Sequence, residues 1–268
     1  MPADPPLVGF QHDAIERLLA NFGRRGSQSR FGCFIRCGFD GQRRRQRQRR
    51  GRRVAQQLSN PNGMTGKLVG MLMTRANRLP TRLAIDALGI LPGHNVLDLG
   101  CGPGQAIAQM LPLAFPGRVS GIDQSPTMIG QAQRANRAAI ASGRARLDLG
   151  AFEKLPYRDA SFDRILASNV AYFWHDGDAV LREVRRVLKP GGRLSIYVTD
   201  AETMRGWKIA RAGTHRLFSP EDLRGMLVQA GFAPTGVAVD TVKLPAGVSG
   251  IVATATANSI EDGIRRAA

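Results

Sequence analysis

Cysteine, lysine and long apolar runs are all scarce in this sequence. Its 268 residues include three Cys, too few for a disulfide framework, so we expect a reducing, cytoplasmic compartment. No run of about 18 apolar residues occurs, which argues against a membrane-spanning helix. The first residues also lack the basic-then-apolar order of a secretion signal.

Residues with the spacing of metal ligands are missing as well. Cys33 and Cys37 form a C-x₃-C pair, but no second Cys or His pair accompanies it, and zinc sites need about four ligands. The four His show no metal-binding spacing either: His12, His94, His175 and His215. We therefore predict no metal.

The positive charge is large and unevenly placed. Lys and Arg number 38 against 21 Asp and Glu, a net charge of +17. Eight Arg fall between Arg43 and Arg53, a density at which like charges repel, so residues 1–53 are predicted to be a disordered extension. Such a stretch would bind phosphate backbones, although it has no aromatic residue to stack on bases. It is either a nucleic-acid tether over residues 43–53 or a tail without a partner.

The remaining pattern is typical of an α/β protein. Helical periodicity over residues 54–91 predicts a helical cap, which includes a helix over 64–78, and residues 92–260 alternate short apolar runs with longer amphipathic ones. Among these, the pattern predicts one helix over 126–141 and a fifth strand over 193–199. Strands that alternate with helices predict a parallel sheet with right-handed crossovers. The last two strands, at 235–242 and 250–257, have no helix between them and are predicted to pair as an antiparallel hairpin.

A glycine loop follows the first strand, in the segment Asp98-Leu-Gly-Cys-Gly-Pro-Gly104. Gly100, Gly102 and Gly104 allow a sharp turn and a close approach of ligand to backbone. A dinucleotide loop would have the spacing G-x-G-x-x-G, which this segment lacks. The carboxylate of Asp98 would also repel a pyrophosphate and attract a cationic amino group.

A second acid ends the next strand, in Gly121-Ile-Asp123. An acid about 20 residues after a glycine loop is placed to accept hydrogen bonds from ribose hydroxyls. Asp98 and Asp123 together indicate a site for a cationic nucleoside without phosphates. S-adenosylmethionine matches, because it carries an α-amino group, a sulfonium and a ribose diol.

Four ordered motifs resemble those of the class I S-adenosylmethionine-dependent methyltransferases, in particular the small-molecule group called type 11. The first two are the glycine loop and Gly121-Ile-Asp-Gln-Ser-Pro-Thr-Met128. The others are Leu155-Pro-Tyr-Arg-Asp-Ala-Ser-Phe-Asp163 and Leu181-Arg-Glu-Val-Arg-Arg-Val-Leu-Lys-Pro-Gly-Gly192. The resemblance implies a Rossmann-like, mostly parallel sheet of seven strands with helices on both faces and an antiparallel last strand.

The resemblance also implies the cofactor site, with S-adenosylhomocysteine as product. The expected cofactor-binding residues are Asp98, Gly100, Cys101, Gly102, Gly104, Asp123, Gln124, Met128, Ala151, Phe152 and Ser168. One departure is Ala151, which stands where the family often offers an Asp to the adenine amino group. We therefore expect somewhat weaker adenine recognition, with backbone groups of Ala151 and Phe152 still facing the ring.

The acceptor should bind at the carboxyl ends of the strands, near the loop after the fourth one. Ser168 and Asn169 are the nearest polar groups, while Tyr172 and His175 are the candidates to contact or deprotonate an acceptor. The predicted function is methyl transfer to a small molecule. Two alternatives stay open: a nucleic-acid methyltransferase recruited by the Arg-rich tail, and a non-catalytic nucleoside-binding module.

Overall fold

The structure is a computed structural model that describes residues 77–207 and 216–257. The predictions for residues 1–53, and for all but the last two residues of a helix over 64–78, lie outside the described residues. Within the described ranges, no helix is long and apolar enough to cross a membrane.

Seven strands and seven α-helices make up the described fold. The strands are β1 Val96–Leu99, β2 Val119–Asp123, β3 Ala145–Leu149, β4 Phe162–Ser168, β5 Leu188–Thr199, β6 Val237–Leu244 and β7 Val248–Thr256. The helices are α1 Arg78–Leu88, α2 Gln105–Ala114, α3 Pro126–Ala135, α4 Arg137–Ala141, α5 Gly177–Val187, α6 Ala201–Arg205 and α7 Pro220–Gln229. Short 3-10 turns cover Ala171–Phe173, Pro234–Gly236 and Pro245–Gly247.

The strands form one mixed sheet in the order β3-β2-β1-β4-β5-β7-β6. The pairs among β1 to β5 are parallel, whereas β7 runs antiparallel to both β5 and β6. This confirms the predicted Rossmann-like sheet and its antiparallel last strand. The loops after β1, β2 and β4 meet at one carboxyl edge, where ligands of such sheets bind.

Local sequence signals explain where the helices begin. Asp176 caps α5, because its side chain accepts a hydrogen bond from the Ala179 N–H at 2.9 Å. Ser219 and Asp222 form a capping box at the start of α7. Each cap satisfies a backbone N–H that has no partner inside the helix.

Two apolar cores lie on the two faces of the sheet. One packs α5 and α7 against it and includes the buried side chains Val180, Val184, Leu223 and Phe218. The other packs α1 and α2 on the opposite face and includes Ile85, Leu88, Ile107 and Met110. Helices on both faces leave the carboxyl edge as the place for a site.

The structure differs from the sequence prediction in several elements. The single helix predicted over 126–141 is two helices that meet at Asn136, whose side-chain amide donates to Gly104 O and Ala132 O at 3.0 Å each. β5 begins at Leu188, five residues before its predicted start, because Gly191 and Gly192 already exchange hydrogen bonds with Ala257. Helix α6 and the turn Ala171–Phe173 are not among the elements predicted from the sequence.

Candidate active site

The glycine loop between β1 and α2 is closed by hydrogen bonds within the protein. The N–H groups of Gly100 and Cys101 donate to Ile122 O at 2.8 and 3.0 Å. The Gly104 N–H donates to Cys101 O at 2.9 Å. These three N–H groups are therefore engaged within the protein.

Glycine is required at two loop positions by both conformation and space. Gly100 has φ +78°, and a Cβ there would lie 2.4 Å from Cγ2 of Val170. Gly104 has φ +85°, and its Cβ would lie 2.6 Å from Nδ2 of Asn136. The loop is therefore pressed against the segment after β4 on one side and against the α3–α4 junction on the other.

Asp123 ends β2 and holds the loop in place. Its Oδ2 accepts from the Gly102 N–H at 2.9 Å, and its Oδ1 accepts from the Ser125 N–H at 2.8 Å. Each carboxylate oxygen has a further lone pair, so Asp123 can still accept from two ribose hydroxyls. Burial raises the pKa of this carboxyl above its ordinary value.

Asp98 is the least satisfied acid of the site. Its side chain is 2% exposed, and its Oδ2 makes no hydrogen bond within residues 77–207 and 216–257. Burial, with the neighbouring charge of Asp123, raises the pKa of Asp98 to about 7. A buried carboxylate oxygen without a partner is costly, and the ammonium of an amino acid is a group that would relieve that cost.

The residues predicted to line the adenine lie at the ends of β2 and β3. The two strand ends are joined by the Gly150 N–H, which donates to Asp123 O at 3.1 Å. Gln124 and Ala151 are exposed, whereas Met128 and Phe152 are buried. Cys101 is buried too, and burial holds the pKa of its thiol well above the ordinary value, so it is a small loop residue with no nucleophilic character.

Helix α5 anchors the loop that follows Phe152. Glu183 Oε2 accepts from the Leu155 N–H at 2.8 Å. Arg186 donates to Leu155 O at 3.1 Å and to Tyr157 O at 2.8 Å, and it pairs with Glu183 at 2.7 Å. The loop after Phe152 is therefore positioned by two charged residues of α5, Glu183 and Arg186.

The segment after β4 carries a chain of hydrogen bonds. Ser168 Oγ lies 3.1 Å from Oγ1 of Thr81 on α1. The Tyr172 hydroxyl donates to Asn169 Oδ1 at 3.2 Å and accepts from the Thr199 N–H. Tyr172 is 7% exposed, and burial raises the pKa of its hydroxyl. Its hydroxyl is thus engaged inside the protein.

His175 lies just before Asp176, the residue that caps α5. It is exposed and lines a polar cavity of about 640 Å³ between the starts of α5 and α7, together with Asp176, Arg216 and Glu221. No glycine-loop residue lines this cavity. Among the described residues, no group of three or more His, Cys, Asp and Glu is arranged to hold a metal ion.

Sequence reasoning missed the residues that support the loops. Thr81, Asn136, Thr199, Glu183 and Arg186 all make site contacts through partners distant in sequence. Only the Glu183–Arg186 spacing of three gave a signal, as a helical ion pair. Which loop that pair would hold depends on tertiary packing.

Comparison with known families agrees with this geometry. Residues 97–196 match the family model described as a methyltransferase domain. An uncharacterized methyltransferase of Bacillus subtilis, YdaC, is 30% identical over 135 residues, which are 50% of this chain and 72% of YdaC. The O-methyltransferase resE of Aspergillus sclerotiorum is 32% identical, over 60% of this chain and 62% of its own.

A plant relative and a solved structure extend the comparison. Cycloartenol-C-24-methyltransferase 1 of rice is 32% identical, over 42% of this chain and 33% of its own. A SAM-dependent methyltransferase from Aquifex aeolicus has the same fold, with a TM-score of 0.55 and 21% identity over 66% of this chain and 92% of its own. The chain spans about half the length of the first curated relatives that it matches.

The family is therefore settled by sequence similarity, and the site fits its cofactor. YdaC is covered over 72% of its length, and the buried, unpartnered Oδ2 of Asp98 beside Asp123 suits a cationic nucleoside. The chain belongs to the class I S-adenosylmethionine-dependent methyltransferases, in the type 11 group, and its cofactor is S-adenosylmethionine.

Proposed function

We propose that this chain transfers the methyl group of S-adenosylmethionine to a small-molecule acceptor. The observation that carries the proposal is the buried, unpartnered Oδ2 of Asp98 next to Asp123. Two relatives carry names that support it, an O-methyltransferase and a cycloartenol methyltransferase. Cycloartenol is a small molecule, and the acceptor of this chain is proposed to be of the same broad size class.

The cofactor supplies an activated methyl group on a sulfonium, and the protein's part is alignment and exclusion of water. We assign the ribose hydroxyls to Asp123 and the ammonium to Asp98. The anchored loop after Phe152 and the exposed Gln124 and Ala151 border the adenine. Alignment of this kind supplies roughly 7–11 kcal/mol of barrier lowering in well-oriented reactions.

Tyr172 and His175 differ in what they can do. A phenol whose pKa is raised by burial is a poor general base at neutral pH, and the Tyr172 hydroxyl already donates to Asn169. We therefore propose that Tyr172 orients Asn169. His175 is exposed and lines the cavity at the starts of α5 and α7, so we propose it as the base only for an acceptor that reaches that cavity.

The nucleic-acid alternative rests on residues 43–53, which lie outside the described residues. This Arg-rich segment is the sequence feature that favours a nucleic-acid acceptor over a small molecule. A cytoplasmic location is likewise a proposal that rests on the low cysteine count.

The test is transfer of labelled methyl from S-adenosylmethionine to a panel of phenols, amines, sterols and total RNA. A matched variant carries Gln in place of the eight Arg between residues 43 and 53. We expect label on a small molecule, at the same rate in both proteins. Label on RNA alone, lost in the Gln variant, would establish the nucleic-acid function instead.

A further inference from the structure

Asn169 directly follows β4 and holds an unusual backbone conformation. Its φ is +57°, in the left-handed region that Asn tolerates better than most residues. Its own N–H donates to Tyr197 O at 2.9 Å, which ties the residue to β5. The side chain is thereby fixed at the carboxyl edge of the sheet.

The amide of Asn169 has one satisfied end and one unsatisfied end. Oδ1 accepts from the Tyr172 hydroxyl, which itself accepts from the Thr199 N–H, and this arrangement sets which end of the amide faces Tyr172. Nδ2 is buried and has no hydrogen-bond partner in the described part of the chain. A buried amide donor without an acceptor destabilises the folded protein, and a ligand oxygen would offset that cost.

Asn169 directly follows β4, and the residue after it contacts the glycine loop. Val170, the next residue, packs so closely on Gly100 that a Cβ there would be 2.4 Å from Val170 Cγ2. β1 and β4 are neighbours in the sheet, with Asp98 opposite Leu166. Adjacent strands therefore carry an unpartnered acceptor, Asp98 Oδ2, and an unpartnered donor, Asn169 Nδ2.

An amino-acid zwitterion has the complementary pair of groups. The methionine part of the cofactor carries an ammonium, which suits Asp98, and an α-carboxylate, which needs hydrogen-bond donors in a site that already contains two acids. The N–H groups of Gly100, Cys101, Gly102 and Gly104 are engaged within the protein. Asn169 Nδ2, by contrast, has no hydrogen-bond partner in the described residues.

We propose that Asn169 Nδ2 donates a hydrogen bond to the α-carboxylate of the cofactor's methionine part. Tyr172 is then a positioning residue, because its hydroxyl keeps the amide in this orientation. The inference rests on the proposed binding of S-adenosylmethionine at the glycine loop. It adds a residue that binds the amino-acid end of that cofactor.

Two variants isolate the side chain from the backbone. Asn169→Gly removes the amide, and glycine adopts a φ of +57° without strain. Asn169→Asp keeps the shape and replaces the donor with a second anion. Ala160→Gly is the matched control, because Ala160 is the other non-glycine residue of the described ranges with positive φ, at +50°, and it is exposed.

Calorimetry on the full chain compares S-adenosylhomocysteine with its decarboxylated analogue, which lacks only the α-carboxylate. We expect Asn169→Gly to weaken binding of S-adenosylhomocysteine about 10- to 100-fold, the usual effect of a hydrogen bond to a charged group, and to leave the analogue unchanged. Asn169→Asp should weaken S-adenosylhomocysteine further. Tyr172→Phe should cause a smaller loss, again confined to the carboxylate-bearing ligand, and Ala160→Gly none.

Equal losses for both ligands would show a purely structural role for Asn169 and overturn the proposal. Unchanged binding of S-adenosylhomocysteine in Asn169→Gly would also overturn it, while leaving the proposed function intact, and would direct attention to an acceptor oxygen. Failure of the unsubstituted protein to bind S-adenosylhomocysteine would instead overturn the proposed function and this inference with it.

Discussion

The Gly102 N–H lies 2.9 Å from Oδ2 of Asp123, so the glycine loop and the acid that ends β2 form one hydrogen-bonded unit. The same carboxylate accepts from the Ser125 N–H at the start of α3. A single side chain therefore fixes the loop, begins a helix and is proposed to receive the ribose. Its loss should affect both stability and cofactor binding.

Asp123→Ala should lower the free energy of unfolding by about 1–3 kcal/mol, because the partly buried N–H groups of Gly102 and Ser125 lose their acceptor. We expect binding of S-adenosylhomocysteine to weaken about 100-fold, which corresponds to about 2.7 kcal/mol. Asp123→Asn keeps one acceptor oxygen, so its stability and its affinity should lie between those of the unsubstituted protein and of Asp123→Ala. Calorimetry and urea unfolding measure the two effects, and intact binding in Asp123→Ala would show that the site is misassigned.

The stability of the ligand-free protein should depend on Asp98. Its pKa in the folded protein is about 7, above the unfolded value of about 3.9, so the folded state holds a proton that the unfolded state has released. The free energy of unfolding should then fall as pH rises from about 4 to about 7. Between pH 5 and 8 we expect Asp98→Asn to avoid about 2–3 kcal/mol of this loss. Parallel pH profiles for the two proteins in urea unfolding would contradict this.

Ionisation of Asp98 lowers the stability of the ligand-free protein, but it should raise the affinity for the cofactor. Ionised Asp98 attracts the ammonium of the ligand, so binding of S-adenosylhomocysteine should strengthen between pH 6 and pH 8 in the unsubstituted protein. Asp98→Asn should show weak binding with little pH dependence over that range. Calorimetry at several pH values makes the comparison, and an identical pH dependence in both proteins would remove Asp98 from the site.

Ala151 offers a gain-of-affinity test. It is exposed beside the predicted adenine position, and an Asp there would supply the acceptor for the adenine amino group that this chain lacks. We expect Ala151→Asp to bind S-adenosylhomocysteine several-fold more tightly, since one hydrogen bond contributes about 1 kcal/mol. Unchanged calorimetric affinity would mean that the adenine lies elsewhere or is already satisfied by backbone groups.

Arg186 tests the anchoring of the loop after Phe152. Arg186→Met keeps the apolar stem and removes the donors to Leu155 O and Tyr157 O, so binding of S-adenosylhomocysteine should weaken about 3- to 10-fold, as expected for one or two hydrogen bonds. Arg182→Met, an exposed change on the same helix, is the control. Equal affinities in the two variants would show that the loop holds its shape without Arg186.

The sequence was a good guide to the fold and to the residues that turn the chain. Strand alternation and the spacing of Gly100, Gly102 and Gly104 reflect local backbone requirements, which is why the parallel sheet and its antiparallel end were predictable. The break of the predicted 126–141 helix was not, because it follows from a contact between Asn136 and Gly104.

Side-chain environments were the harder part. Tyr172 is a reasonable base by residue type, yet its hydroxyl is engaged with Asn169 and Thr199, both brought to it by the fold. Likewise the orphaned amide of Asn169 is visible only once β4 is packed against β1 and β5. Sequence patterns report periodicity and turns, whereas these environments depend on contacts distant along the chain.

The central claim is that the two acids and the glycine loop bind a cationic nucleoside rather than a dinucleotide. Calorimetric titration of the full chain with S-adenosylhomocysteine and, separately, with NAD tests it most directly. We predict one equivalent of S-adenosylhomocysteine bound, loss of that binding in Asp98→Ala and Asp123→Ala, and no heat with NAD. Binding of NAD, or S-adenosylhomocysteine binding that survives both substitutions, would contradict the account.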